Sequence, residues 1–225
     1  MSGIYIHIPF CKQACYYCDF HFSTNLAKKE AMVEAICREI ELQNHYLKAP
    51  ITSIYFGGGT PSLLTQKQLE QILQTIKEQF SIVPKAEITL EANPDDLTAQ
   101  KLQDFKQAGI NRLSIGIQSF LEQHLKYMNR SHNATQAANA VKQARDAGFE
   151  MLNIDLIYAL PDKSHDILKK NLDTALQLNS EHISAYCLTI EPQTVFGKWK
   201  TSGKIQEANE DFAAEQFDVL VSISN

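Results

Sequence analysis

Six short runs rich in Ile, Leu and Tyr recur along the chain, and a longer stretch of helical period separates each from the next. The runs are GIYIHIP (3–9), TSIYF (52–56), AEITLEANP (86–94), RLSIGIQ (112–118), MLNIDLIYALP (151–161) and HISAYCLTI (182–190). Helical patterns fall at 25–47, 65–79, 98–108, 134–147 and 165–178, and another begins near 209. Alternation at this spacing predicts βα units around a parallel sheet. Because side chains alternate along a strand, each run can be sorted by face. Ile4, Ile6 and Ile8 share a face and leave Tyr5 and His7 opposite. Ile88 and Leu90 oppose Thr89, Glu91 and Asn93, and Leu113, Ile115 and Ile117 oppose Arg112, Ser114, Gly116 and Gln118. Leu152, Ile154 and Leu156 oppose Asn153 and Asp155.

A parallel sheet covered by helices on both sides is apolar on both faces. One aliphatic and one polar face instead predicts a barrel, with helices outside and a polar lumen that holds a ligand. Glu91, Gln118 and Asp155 fall late in their strands, the end at which such barrels carry chemistry. A half-exposed sheet is the alternative, disfavoured because helix-alternating parallel sheets rarely leave a face bare. Gly109 and Gly148 stand where helix C-caps are expected, and Thr65 and Thr98 where N-caps are. "QAGINRLSIG" and "DAGFEMLNID" form a weak internal repeat of that helix-to-strand unit. The only candidate boundary is the polar stretch at 200–210, which suggests a barrel over 1–200 and the start of a further, truncated extension over 201–225.

With 225 residues, 44% hydrophobic and 21% charged, the chain can bury a sizeable core. No apolar run reaches the ~18 residues of a membrane span and no signal pattern opens the chain, so a cytoplasmic protein is expected. A net charge of −5 argues against a broad nucleic-acid footprint. Five cysteines, three of them at Cys11, Cys15 and Cys18, make a poor disulfide framework and suggest metal. Structural zinc would need a fourth ligand such as His7, His21 or Cys187, and a thiol exchange pair would leave Cys11 idle. An iron–sulfur cube held by three thiolates would keep one iron open to an outside ligand. Cys37 and Cys187 read as packing residues, His45, His124, His132 and His165 as surface positions, and Met128 and Trp199 as structural.

C-x3-C-x2-C after the first strand and "GGGTPS" (57–62) after the second resemble the radical S-adenosylmethionine superfamily. "YIHIPFCKQACYYCDF", "YFGGGTPS", "ITLEANPDDL", "RLSIGIQSF" and "NIDLIYALP" resemble its oxygen-independent coproporphyrinogen III oxidase-like branch, in order over residues 3–192. The resemblance implies an α/β fold, a partial (β/α)6 TIM-like barrel of parallel strands. It implies a [4Fe–4S] cluster on Cys11, Cys15 and Cys18, with S-adenosyl-L-methionine on the open iron. Tyr5 and Tyr17 match cofactor-contacting positions, Gly58, Gly59 and Thr60 the turn that receives the methionine end, and Glu91 a position near the ribose or amino group. Gln118, Arg130 and Asp155 match positions that contact a second S-adenosylmethionine in the oxidase.

Two departures bear on the branch. The oxidases carry another cysteine two residues after the third ligand, where this chain has Phe20. "CDF" and "AYCLTIEP" (185–192) resemble instead the heme chaperone branch of HemW type, which binds heme and delivers it to respiratory enzymes. The chain also stops at Asn225, within or just after a helix bearing Phe212, Phe217, Leu220 and Val221, short of the family's C-terminal domain with its heme-binding residues. The expected partners are therefore heme or a porphyrin and heme-accepting respiratory proteins, with transient membrane contact through those acceptors. The alternative is radical oxidative decarboxylation of porphyrinogen propionates, and a zinc-stabilised binding module or a tRNA-modifying enzyme stands further off.

Overall fold

The computed structural model describes residues 2–162 and 164–223. Six strands form one parallel sheet in strict chain order: β1 (Ser2–Ile8), β2 (Ile51–Gly58), β3 (Ile82–Ala92), β4 (Arg112–Gln118), β5 (Met151–Tyr158) and β6 (His182–Cys187). A sheet in which each new strand adds beside the last, with a helix after each, curls around one lumen. β1 and β6 are its edges and do not pair, so the barrel is partial. Behind the strands lie α1 (Lys29–Leu42), α2 (Gln66–Gln79), α3 (Ala99–Ala108), α5 (Ala134–Asp146) and α6 (Asp166–Gln177), while the short α4 (Glu122–Tyr127) packs through Leu125 against Ile157, Leu160 and Phe196. After β6 come α7 (Val195–Thr201) and α8 (Glu210–Ile223).

The face assignments hold. Ile54, Phe56, Leu90, Leu113, Ile115, Ile117 and Ile154 are fully buried against Leu69, Ile72 and Ile76 of α2, Phe105 of α3 and Val141 of α5 in one apolar cluster. Each such side chain contributes about 1.5–3 kcal/mol by leaving water. Thr65 caps α2 in a full capping box with Gln68, and Thr98 caps α3. Gly109 ends α3 with φ +104° and Gly148 follows α5 with φ +83°, so the repeated unit is a helix turned by a left-handed glycine into a strand.

The pattern differs from its expectation at several ends. α1 stops at Leu42 rather than 47, where Asn44, His45 and Tyr46, weak helix formers ahead of Pro50, give way to turns. β5 stops at Tyr158 because Ala159 takes a left-handed φ of +59°. α4 and α7, with 6 and 7 residues, are too short to show a period. On α8 the apolar residues do not share one face: Phe212 stacks on His165, Phe217 is exposed, and the buried Gln216 accepts the Ala159 N–H at 2.7 Å.

Candidate active site

At the C-terminal ends of the strands lies a cavity of about 510 Å³. Every candidate residue except Tyr5 lines it: the three clustered cysteines, Tyr17, Gly58, Gly59, Thr60, Glu91, Gln118, Arg130 and Asp155. Tyr5 sits on the same sheet face but stacks on Tyr55 at 6.0 Å, bonds to His7 Nδ1 and is 59% exposed.

β1 feeds straight into the cysteine loop. Its base is closed by Cys11 N–H donating to Ser23 O at 3.0 Å and Ser23 N–H to Pro9 O at 2.8 Å. A turn, Cys18 N–H to Cys15 O at 3.3 Å, sets these two cysteines together. Lys12 ties the loop to Asp95 and Asp96 beyond β3. Tyr16 turns away from the cavity and packs on Phe196 and Trp199, while Tyr17 turns toward it. Burial pushes the Cys11 thiol up and the Cys18 thiol up to about 11, each raised further by its cysteine neighbours. Among the described residues no three His, Cys, Asp or Glu come close enough to hold one metal ion. The thiols face a shared cavity without converging on a point.

The glycine turn first serves the protein's own backbone. A Cβ on Gly59 would meet Phe10 O at 2.7 Å and Ile8 O at 2.9 Å, so only glycine lets the turn dock on the root of the cysteine loop. Gly58, at φ +112°, donates its N–H to Glu91 Oε2 at 3.1 Å, and Tyr55 donates to Oε1 at 2.8 Å. Asp155 accepts from Ser114 at 3.1 Å and Asn153 at 2.7 Å. Burial raises both carboxyl pKa values above the ordinary range. Gln118 closes β4 at φ +66°, a conformation that a non-glycine residue holds only where its surroundings impose it.

Arg130 does not pair with Asp155. Its Nη2 donates to Asn93 Oδ1 at 2.7 Å and Gly116 O at 2.8 Å, and its Nη1 to Cys15 Sγ and Tyr17 Oη at 3.4 Å each. Its Nε is buried and has no hydrogen-bond partner among the described residues. Asn93 and Ser114 also line the cavity, and Asn153 donates to Asp155. All three stand on the polar face that strand alternation sets out.

Three expectations are corrected. Cys187 is exposed at the cavity rim rather than packed, because β6 is an edge strand with no neighbour to cover it. His124 is buried, bonded to Asp162 at 2.9 Å and Ser119 at 3.3 Å. His132 is buried against Ile117 O at 3.1 Å. His124 is held by Ser119 and by Asp162 from beyond β5, and His132 by the end of β4, tertiary contacts that residue spacing does not reveal. Met128 and Trp199 are structural, in a second apolar cluster beneath the cysteine loop, and Cys37 is in the core.

An incomplete parallel barrel with three loop thiols over its polar mouth defines a class. Residues 5–175 match the radical SAM superfamily, and the chain belongs to it. Within it the chain is similar to HemW: it is 36% identical over 223 residues to the heme chaperone HemW of Lactococcus lactis subsp. lactis, covering 99% of this chain and 58% of that protein. Its identity to HemW of Escherichia coli is 39% over 198 residues, covering 87% of this chain and 52% of the relative. Among solved structures, coproporphyrinogen III oxidase (HemN) of Escherichia coli superposes with a TM-score of 0.84 at 26% identity, over 98% of this chain and 51% of that one. An archaeal Elp3 from Methanocaldococcus infernus, at TM-score 0.66 and 15% identity, shares the fold alone. The chain thus spans a little over half the length of the curated relatives it matches. No helix among the described residues is long and apolar enough to cross a membrane.

Proposed function

We propose that Cys11, Cys15 and Cys18 hold a [4Fe–4S] cluster with S-adenosylmethionine beside it, and that the whole protein is a heme chaperone serving respiratory enzymes. One observation carries the reading: the thiols of one loop and the polar ends of β2 to β5 face a single cavity. The donor set suits the two groups. Soft thiols favour iron–sulfur chemistry, and an unpartnered buried guanidinium Nε on Arg130 suits a carboxylate. A cavity of about 510 Å³ is of cofactor size. When bound, the pair supplies one-electron chemistry.

The chain's own residues have separable tasks. Gly58, Gly59 and Thr60 form the turn beside the cysteine loop, where burial raises the Cys11 thiol and Thr60 partly offsets that rise. Glu91 and Asp155, fixed by Tyr55 and Ser114, offer carboxyl oxygens to hydroxyl or amino groups in the lumen, and Gln118 and Tyr17 flank them. Because thiols ligate as thiolates, and burial raises both Cys11 and Cys18, loading releases protons and is favoured as pH rises. We place residues 1–200 as the barrel and 201–225 as the beginning of a further part, in a cytoplasmic protein whose heme and acceptors are engaged by the whole molecule.

A second reading, a porphyrinogen oxidase, is favoured by the superposition on HemN. Phe20, 71% exposed at the cavity, argues against it, since it presents an apolar ring where the oxidases carry a thiol. Anaerobic reconstitution with iron and sulfide, then spectroscopy with and without S-adenosylmethionine, tests the cofactor reading. A cluster signal that shifts with the cofactor is expected, and one indifferent to it overturns the assignment. Heme binding by the whole protein, without anaerobic conversion of coproporphyrinogen III, is expected for the chaperone. The reverse result selects the oxidase.

A further inference from the structure

The cysteine loop lies along a short segment between α4 and α5. Five consecutive loop residues, 13 to 17, each bond to one of three consecutive residues, 128 to 130. Gln13 Nε2 donates to Asn129 O and Asn129 Nδ2 donates to Ala14 O, both at 2.8 Å. Arg130 Nη1 donates to Cys15 Sγ and Tyr17 Oη at 3.4 Å, and the Tyr16 N–H donates to Met128 O at 3.1 Å. The segment itself is firmly held. Met128 is fully buried, and the N–H groups of Met128, Asn129 and Arg130 donate to His124, Lys126 and Leu125 carbonyls at 2.9–3.1 Å. Its remaining polar groups are thus available to the loop.

We propose that residues 128–130 are a template that shapes the cysteine loop before any cluster is present, with Asn129 as its positioning residue. Asn129 meets two demands at once. It sits at φ +56°, where asparagine is among the few tolerated side chains, and its amide supplies a donor while its own carbonyl accepts from Gln13. Aspartate would keep the turn and lose the donor, whereas glycine would keep the turn and lose the side chain. A loop of this composition has no regular hydrogen bonding of its own, so without such a strap its thiols would sample many arrangements. The functional part of the inference rests on the proposed cluster; the structural part does not.

Hydrogen exchange of the metal-free chain tests it. Asn129→Gly is expected to speed exchange of the amides in 13–17 by about fivefold, the worth of one hydrogen bond, with Asn129→Asp similar and Gln13→Ala additive to either. Peptides from β4 and α2 should be unchanged. Cluster assembly should slow by a similar factor while reaching the same final iron content. Unchanged exchange in 13–17, or an equal rise in the core peptides, overturns the template. If Asn129→Gly fails to fold, Gln13→Ala reads the same strap from the loop side. If the unmutated chain takes up no iron, the cluster reading fails, and the exchange comparison still decides whether the segment shapes the loop.

Discussion

Glu91 and Cys15 face the same cavity, yet they reach it by different means. Glu91 is carried by β3, paired on both sides, so its direction is set by the pleat and its position by the sheet. Cys15 lies in a loop with no regular structure, held by partners more than a hundred residues away. A strand-borne group inherits its geometry from many cooperative backbone bonds, each worth about 1 kcal/mol net. A loop-borne group depends on a few specific ones. The strand side of the site should therefore tolerate loss of single contacts, while the loop side should respond to each.

The largest expected effect is on the loop. Cys15→Ala should abolish cluster assembly while leaving the fold intact, as read by iron analysis and circular dichroism; full iron content in this variant would break the ligand assignment. Next comes pH, through His132. Burial first, and the Arg130 charge second, lower its pKa to about 4 from the usual 6.5. The unfolded chain then binds the proton more readily than the folded one. Stability from this group is complete above the unfolded value and is lost as pH falls from 6.5 toward 4, by roughly 3 kcal/mol. Glu91 and Asp155 act in the opposite sense: with raised values, they lose stability as pH climbs above the ordinary carboxylate range. His132→Gln isolates the histidine, because it keeps a donor for Ile117 O and should flatten the acid limb in denaturant titrations.

The junction of the two walls comes third. Gly59→Ala places a Cβ within 3 Å of two backbone carbonyls and should cost about 1–3 kcal/mol in unfolding free energy, accompanied by weaker cluster loading. Stability loss without a loading defect would show that the glycine turn and the cysteine root are mechanically independent. The smallest effect lies on the strand side. Ala159→Gly relieves a left-handed alanine at the end of β5 and should raise stability by about 0.5 kcal/mol, since relief of about 1–2 kcal/mol is partly offset by the freer unfolded chain.

Much of the strand wall could be read directly. Alternation alone put Thr89, Glu91, Asn93, Ser114, Asn153 and Asp155 on one face, and the structure keeps them there. The cysteine cluster and glycine turn were legible through motif and resemblance, although Gly59 turns out to accommodate the protein's own backbone. Arg130 was visible as a family position, but its contacts with Cys15, Tyr17, Asn93 and Gly116 were not. Nothing in the spacing announced the burial of His124 or His132, the exposure of Cys187, or the bonds of Asn129 to the loop.

The division has a physical origin. Strand period, helix caps and left-handed glycines are properties of neighbouring residues, so the chain's order by itself determined a parallel, helix-wrapped sheet with one polar face and three thiols at its first strand end. How far that sheet curls, which polar groups it brings within bonding distance, and how a loop without periodicity is held depend on contacts between distant segments. Loop closure carries an entropy cost that only the assembled fold can offset. The shape of the cysteine loop, and its fit along residues 128–130, was decided there.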